Sequence, residues 1–359
     1  MALPASRFKR YAACSAPTRS RLEAGRPQRG RVTLKLAVVS LIRNEADVAE
    51  AFLRHLGALF DDAILMDHGS SDGTSSYLAA AARHYGWQHW HVAVPGYHQQ
   101  AFTTFALRHA FEHTDADYVF LLDADEFLDV PDRATLEAGL MPLAGNPRVV
   151  GHLGWRNCVK SRAGGPLGLR TRFWMAPEAS QHCKTILPRA LYEASSGQAH
   201  PTTGNHDIIP GDGVPLSYHR VTQLLHFPIR SLQQLRLKAV CGALATMART
   251  DRPLDELTHW FAMVDRMSRA ELSEADLIGM VAGYGESRDP GAAATRRDLQ
   301  RQGFVSRQLD GVAHDKVRYP SFARRMDPLD IVAAVLRDWR QLATATLDLR
   351  LSGNVLEAG

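Results

Sequence analysis

Residues 117–128 read Asp117-Tyr118-Val119-Phe120-Leu121-Leu122-Asp123-Ala124-Asp125-Glu126-Phe127-Leu128, an apolar run that ends in three acids within four positions. The run from Val119 to Leu122 is too short for an isolated helix and has the composition of a strand buried on both faces, as in a parallel sheet. Alternate side chains of an extended chain share a face, so Asp123 and Asp125 are expected to point the same way while Ala124 turns inward. Two hard carboxylates at the mouth of a sheet can hold Mg²⁺ or Mn²⁺, and such an ion can grip a diphosphate. An Asp-x-Asp alone often does no more than end a strand, so its meaning depends on what precedes it.

Upstream, residues 34–42 form a β-rich run that ends at Arg43-Asn44-Glu45. From Ala46 the apolar spacing becomes helical, with Val48, Phe52, Leu56, Leu59 and Phe60 on one stripe. A second strand at 63–66 leads into Asp67-His68-Gly69-Ser70-Ser71-Asp72-Gly73-Thr74, a turn by its Gly and Ser content, and a helix follows. Residues 88–94 read as a third strand and 101–113 as a third helix. Strands alternating with helices predict parallel strands joined by right-handed crossovers, with ligands beyond the strands' carboxyl ends. The three polar clusters, 43–45, 67–72 and 123–126, all fall at those ends.

Downstream, the spacing predicts a Pro-bounded helix over 131–147 and a strand over 149–158. Short strands are expected near 171–175, 185–187 and 221–227, in a stretch rich in Gly, Pro, Arg and His that suits substrate contacts. Helices are expected from Ser231 and over 255–268, 271–281 and 329–347, with a polar linker at 285–301.

The chain has 359 residues, 45% of them hydrophobic, enough for one large or two ordinary cores. No apolar run approaches the roughly 20 residues of a membrane span, and the N-terminus has no apolar stretch of signal-peptide type. The formal charge of +4 is uneven. Residues 1–31 hold eight basic side chains against Glu23 alone, so this segment is expected to be a disordered basic tail on a slightly acidic body. Cys14, Cys158, Cys183 and Cys241 form no CxxC pair, which fits a reducing cytoplasm and not a zinc ribbon or disulfide scaffold.

The ordered succession of residues 38–45, 67–74 and 121–127 resembles family 2 glycosyltransferases, and Asp123-Ala124-Asp125-Glu126-Phe127 is similar to the subgroup carrying that pentapeptide. The likeness covers about residues 34–240. It implies the GT-A fold, an α/β architecture with a mostly parallel central sheet flanked by helices, here over 32–240, with a helical C-terminal region at 241–359. It also implies a metal-dependent, inverting transfer of sugar from a nucleoside-diphosphate sugar to a hydroxyl acceptor, in surface glycan or glycoconjugate synthesis. The acceptor class, whether glycan, lipid-linked or protein, stays open. So do a non-catalytic nucleotide-sugar-binding module and a nucleotidyltransferase on a similar sheet.

By the family pattern Arg43, Asn44, Glu45, Asp67 and Asp123 contact the nucleotide sugar, and Asp123 and Asp125 hold Mn²⁺ or Mg²⁺. His68 stands where the usual second motif has another Asp. Two later pieces also resemble the subgroup, Lys184-Thr185-Ile186 with 197–200, and His226-Phe227-Pro228-Ile229-Arg230-Ser231 with Lys238. They add His226 as a third metal ligand and Lys184, Arg230 and Lys238 as phosphate contacts. The family's usual acidic base motif is not found; Glu178, Glu193, His200, His206, Asp207, Asp212 and Glu126 are candidates, with Asp207 and His200 first. No nucleic-acid partner is expected, and the protein is expected in the cytoplasm, with peripheral membrane contact left open.

Overall fold

The computed structural model describes residues 8–10, 34–162, 165–168, 170–249, 258–269, 272–284, 295–310 and 313–322. The first half alternates as expected: β2 (Leu36–Ile42), α1 (Ala46–Leu59), β3 (Asp62–Asp67), α2 (Thr74–Tyr85), β4 (Gln88–Val92), α3 (Gln99–His113) and β5 (Tyr118–Leu121). These strands lie parallel in the order β4-β3-β2-β5. Preceding them, β1 (Phe8–Arg10) runs antiparallel along β4. The rest of the expected basic tail lies outside the described residues.

All four residues of β5 are buried, and successive residues serve opposite faces. Leu36, Val38, Leu65 and Phe120 join Phe52, Leu56 and Leu78 beneath α1 and α2. Val39, Ile64, Val119 and Leu121 join Phe102, Ala106 and Leu107 beneath α3. A strand covered on both sides needs apolar residues at every position, which is why these segments read as continuous runs.

The second half is mixed. It comprises β6 (Glu126–Leu128), α4 (Arg133–Leu140), β7 (Val149–Lys160), β8 (Arg172–Met175), β9 (Cys183–Pro188), α5 (Arg189–Ala194), the short β10 (His200–Pro201) and β11 (Ile208–Ile209), and β12 (Ser217–His226). The sheet continues β5-β9-β7-β12-β6, with β9 antiparallel to both its neighbours, β12 parallel to β7 and β6 antiparallel to β12. Helices α6 (Leu232–Met247), α7 (Thr258–Arg269), α8 (Glu274–Ala282) and α9 (Arg296–Arg301) and strand β13 (Val305–Gln308) follow.

Two expected spans change. The helix expected over 131–147 stops at Leu140 and passes into a 3₁₀ turn, Met141–Leu143, because Pro142 has no N–H to continue the α ladder. The expected linker at 285–301 ends in α9, where the Thr295 hydroxyl accepts the Asp298 N–H and caps the helix. The helix expected at 329–347 lies outside the described residues. Among the described residues no helix is long and apolar enough to cross a membrane.

Candidate functional site

The polar turns after β2 and β3 are tied to each other. Asn44 adopts φ 56°, a left-handed conformation that Asn tolerates better than most residues. Its side-chain Oδ1 accepts the Ser71 N–H at 2.7 Å, and its own N–H donates to Ser70 Oγ at 3.0 Å. The first donors of α1 are met from the second turn, Glu45 N–H by Thr74 Oγ1 at 2.8 Å and Ala46 N–H by Asp72 Oδ2 at 3.0 Å. Asp67 is only 1% exposed and accepts the Ser70 N–H at 2.9 Å. Burial works to raise its pKa, but bonds from His91 and Ser70 hold it below the usual range. Asp67 and Asp72 therefore build the turn, and Asp67 is not among the residues that line the cleft described below.

The reversal between β5 and β6 carries the acids, and the pairing of β6 with β12 decides what meets them. His226 lies opposite Glu126 in the register, and the Phe227 N–H donates to the Asp125 carbonyl at 2.9 Å. This brings His226 Nε2 to 4.0 Å from Asp125 Oδ1. Immediately after β12, Arg230 is fully buried and donates to Asp47 at 2.8 and 2.7 Å and to Glu45, with Nη1 3.7 Å from Asp125. From α6, Lys238 reaches Asp125 Oδ2 at 2.5 Å. Burial would raise the Asp125 pKa, yet the charges of Lys238 and Arg230 hold it far below the ordinary carboxylate range. Glu45, whose burial outweighs Arg230 and Lys238, is pushed up to about 7.

His226 is a neutral imidazole, its pKa lowered by burial to about 3. Its Nδ1 lies 3.1 Å from Asn157 Oδ1, while Asn157 Nδ2 donates to the Tyr284 carbonyl at 2.8 Å and so fixes which end of the amide faces the ring. An amide oxygen only accepts, so Nδ1 carries the hydrogen and Nε2 presents its lone pair toward Asp125. Trp155 stacks on the ring at 4.2 Å and holds its plane.

Asp123 belongs to a second group. Its Oδ2 accepts from Lys184 Nζ at 2.6 Å, and its N–H donates to Glu126 Oε2 at 2.9 Å. Lys184, whose side chain is 1% exposed, lies 3.6 Å from Glu126 and donates to the Gly204 carbonyl at 2.9 Å. Burial pushes Glu126 well above its ordinary pKa despite Lys184. Asp123, with its side chain 34% exposed, keeps an open edge toward solvent.

Glu45, Asp123, Asp125 and Lys238 line a cleft of about 740 Å³ including its mouth, together with Arg43, Asn44, His68, Tyr97, Leu237, Cys241, Gly242 and Trp260. Of the sequence-derived candidates, Arg43, Asn44, Glu45, Asp123, Asp125 and Lys238 line it, and Lys184, His226 and Arg230 stand behind its acids. His200 and Asp207 do not line it. His200 Nδ1 bonds the Gln198 carbonyl, and Asp207 accepts from Tyr218 at 2.5 Å on the β10–β11 side.

Sequence reasoning missed Asp47, Asn157 and Trp260. The first two act through residues far away in the chain, and Trp260 is one aromatic on a helix. Gly242 is its one legible correlate, since a Cβ there would stand 2.8 Å from the Trp260 ring. Gly242→Val should therefore cost about 1–3 kcal/mol by overpacking, read from denaturant melts followed by tryptophan fluorescence. Unchanged stability would mean that the indole does not rest on α6.

Among the described residues no three His, Cys, Asp or Glu side chains converge as a closed metal cage. The donor set nevertheless fits an open site. Asp125 Oδ1 and the bare His226 Nε2 are two electron-pair donors with a 4.0 Å span, no wider than two ligand bonds of about 2.1 Å each. Mg²⁺ and Mn²⁺ suit one or two protein ligands completed by water and phosphate oxygens.

No protein-family model matches the chain, and no curated protein matches it either. Among solved structures it is similar to a mycobacterial protein at 17% identity, covering 59% of this chain and 71% of that one, with a TM-score of 0.33. It is similar to glucosyl-3-phosphoglycerate synthase from Mycobacterium tuberculosis in complex with Mn²⁺ and UDP-glucose at 15% identity, covering 68% and 81%, with a TM-score of 0.31. A third likeness is to S. aureus TarS 1–349 in complex with UDP-GlcNAc, at 13% identity, covering 66% and 72%, with a TM-score of 0.31.

Proposed function

We propose that this chain is a GT-A glycosyltransferase that moves a sugar from a nucleoside-diphosphate sugar to a hydroxyl acceptor with inversion. The observation that carries the proposal is the Asp125–His226 pair at the carboxyl ends of the strands, beside a cleft edged by Lys238 and Arg43. Asp125 and His226 would hold a divalent cation, with Asp123 beside it on the donor. The cation's chemistry is to neutralise charge on the departing diphosphate.

The chain's own residues supply the rest. Lys238 sits on Asp125 at the cleft wall and can turn to a phosphate oxygen, so its charge counts most as the glycosidic bond breaks. Arg230 stays behind the wall and pins Asp47, Glu45 and Asp125 together, which fixes the position of the Asp125 carboxylate. Asn157 sets the tautomer of His226. Asp207 and His200 are the proposed proton acceptors from the incoming hydroxyl, in a part of the chain that would have to approach the donor during the reaction.

A screen of nucleotide sugars with Mn²⁺ and with chelator tests this function. One donor should be hydrolysed slowly, and transferred when an acceptor is added, only with the cation. Turnover of no donor, with no thermal shift by any nucleotide sugar, would contradict it.

A further inference from the structure

We propose that a second cavity, apart from the cleft around Asp125, binds the phosphate or carboxylate group of a small molecule through Arg220. The cavity holds about 690 Å³ including its mouth, a size that suits a small molecule. Its walls are His152 and Gly154 of β7, Cys183 of β9, Tyr218 and Arg220 of β12, and residues 180–182 ahead of β9. It shares no lining residue with the first cleft.

The three strands are neighbours in the sheet, and their register gathers these side chains. Arg220 lies opposite His152, and Cys183 lies opposite Gly154. Alternate residues of a strand share a face, so His152 and Gly154 lie on the face of Val150, which is buried in the core beneath α3. Where continued core would require apolar side chains, β7 carries a histidine and a glycine, and the face opens into the cavity. A Cβ on Gly154 would meet only Ala179 Cβ at 3.8 Å and Arg220 Nε at 3.9 Å. The glycine therefore leaves room directly beside the guanidinium. On β12 the register jumps from Arg220–His152 to Thr222–Leu153, a bulge of the kind that re-aims the adjacent side chain.

The lining has the chemistry of an anion site. It contains an arginine and two histidines and no Asp or Glu. Arg220 is exposed and has no hydrogen bond or ion pair among the described residues. Asp207, the acid bonded to the cavity wall, is engaged elsewhere, its Oδ1 accepting the Tyr218 hydroxyl at 2.5 Å and the Ile208 N–H at 2.7 Å. Ser180 Oγ accepts the His182 N–H at 3.3 Å and keeps its own hydrogen to donate. The Tyr218 ring, stacked on His152 at 4.3 Å, forms a flat wall beside these donors. A guanidinium presents a fork of N–H groups that matches two oxygens of a phosphate or a carboxylate.

The test is calorimetric titration of inorganic phosphate, glucose 6-phosphate and glucuronate, in phosphate-free buffer, into the full chain as wild type, Arg220→Gln and Gly154→Leu. At least one of the three should bind wild type. Arg220→Gln should weaken that binding by about 10- to 100-fold, the loss of charge-assisted hydrogen bonds. Gly154→Leu should weaken it similarly by filling the space while the charge stays. Arg220→Gln alters one exposed side chain and carries the test alone should Gly154→Leu not fold. No binding of any probe by wild type, or undiminished affinity in either folded variant, would overturn the site. An acid that binds in the first cleft instead is exposed by that second outcome. In a turnover assay, a bound acid that receives the sugar is an acceptor and one that changes the rate unmodified is a regulator. Binding here does not depend on the donor, so failure of every nucleotide sugar to bind would contradict the proposed function and leave this site standing.

Discussion

Asp125→Asn should abolish metal-dependent binding of nucleoside diphosphates and lower transfer by at least about 100- to 1,000-fold, the range seen when one preorganised electrostatic contact is removed. The amide keeps the shape of the carboxylate but loses the charge that makes Oδ1 a ligand beside His226. Folding should suffer less than function. Lys238 is 24% exposed and can turn to solvent, and Arg230 keeps Glu45 and Asp47. Calorimetry with and without Mn²⁺, alongside a thermal melt, separates the two effects. Full Mn²⁺-dependent affinity in the variant would remove Asp125 from the site.

Arg230→Met should do the opposite and act first on stability. The guanidinium is fully buried and is the common partner of Asp47, Glu45 and Asp125. Burial opposes its charge, but Asp47 and Glu45 raise its pKa far above the ordinary value, so it is a fixed cation. Removing it leaves three buried or half-buried carboxylates without their shared partner, a loss of about 3–5 kcal/mol for a broken buried pair. Arg230→Lys should rescue little, because one ammonium cannot make the two-pronged contact to Asp47 at 2.8 and 2.7 Å. The midpoint of a urea melt measures this. A midpoint within error of wild type would show that the acids do not depend on Arg230.

The parallel half of the sheet was legible because strands buried on both faces leave continuous apolar runs, as at 36–42 and 118–121. Polar turns at three strand ends were expected to lie together, and they do: the Asn44–Ser71 and Glu45–Thr74 bonds tie the first two, and residues 43–45 share one cleft with residues 123–125. The roles within those turns were less visible. Asp67 and His68 are neighbours in sequence, yet one is sealed into the turn and the other lines the cleft, a choice made by backbone direction and by the Val94 carbonyl. Asp123 and Asp125 were expected on one face by the alternation of a strand. The strand ends at Leu121, however, and the two acids fall in a reversal that gives each its own lysine, Lys184 and Lys238. Long-range partners such as Asp47 for Arg230 and Asn157 for His226 leave no mark in local spacing. Asn157 meets His226 through the β7–β12 register, and Asp47 meets Arg230 where α1 packs against the segment after β12, neither of which shows before the chain folds.

The most direct test is a crystal structure of the full chain soaked with Mn²⁺ and a nucleoside diphosphate, with the metal located by its anomalous signal. One Mn²⁺ should be bonded to Asp125 Oδ1 and His226 Nε2 at about 2.1–2.2 Å, with diphosphate oxygens completing its shell. A nucleotide bound with no metal between those two side chains, or a metal held elsewhere in the chain, would contradict the account.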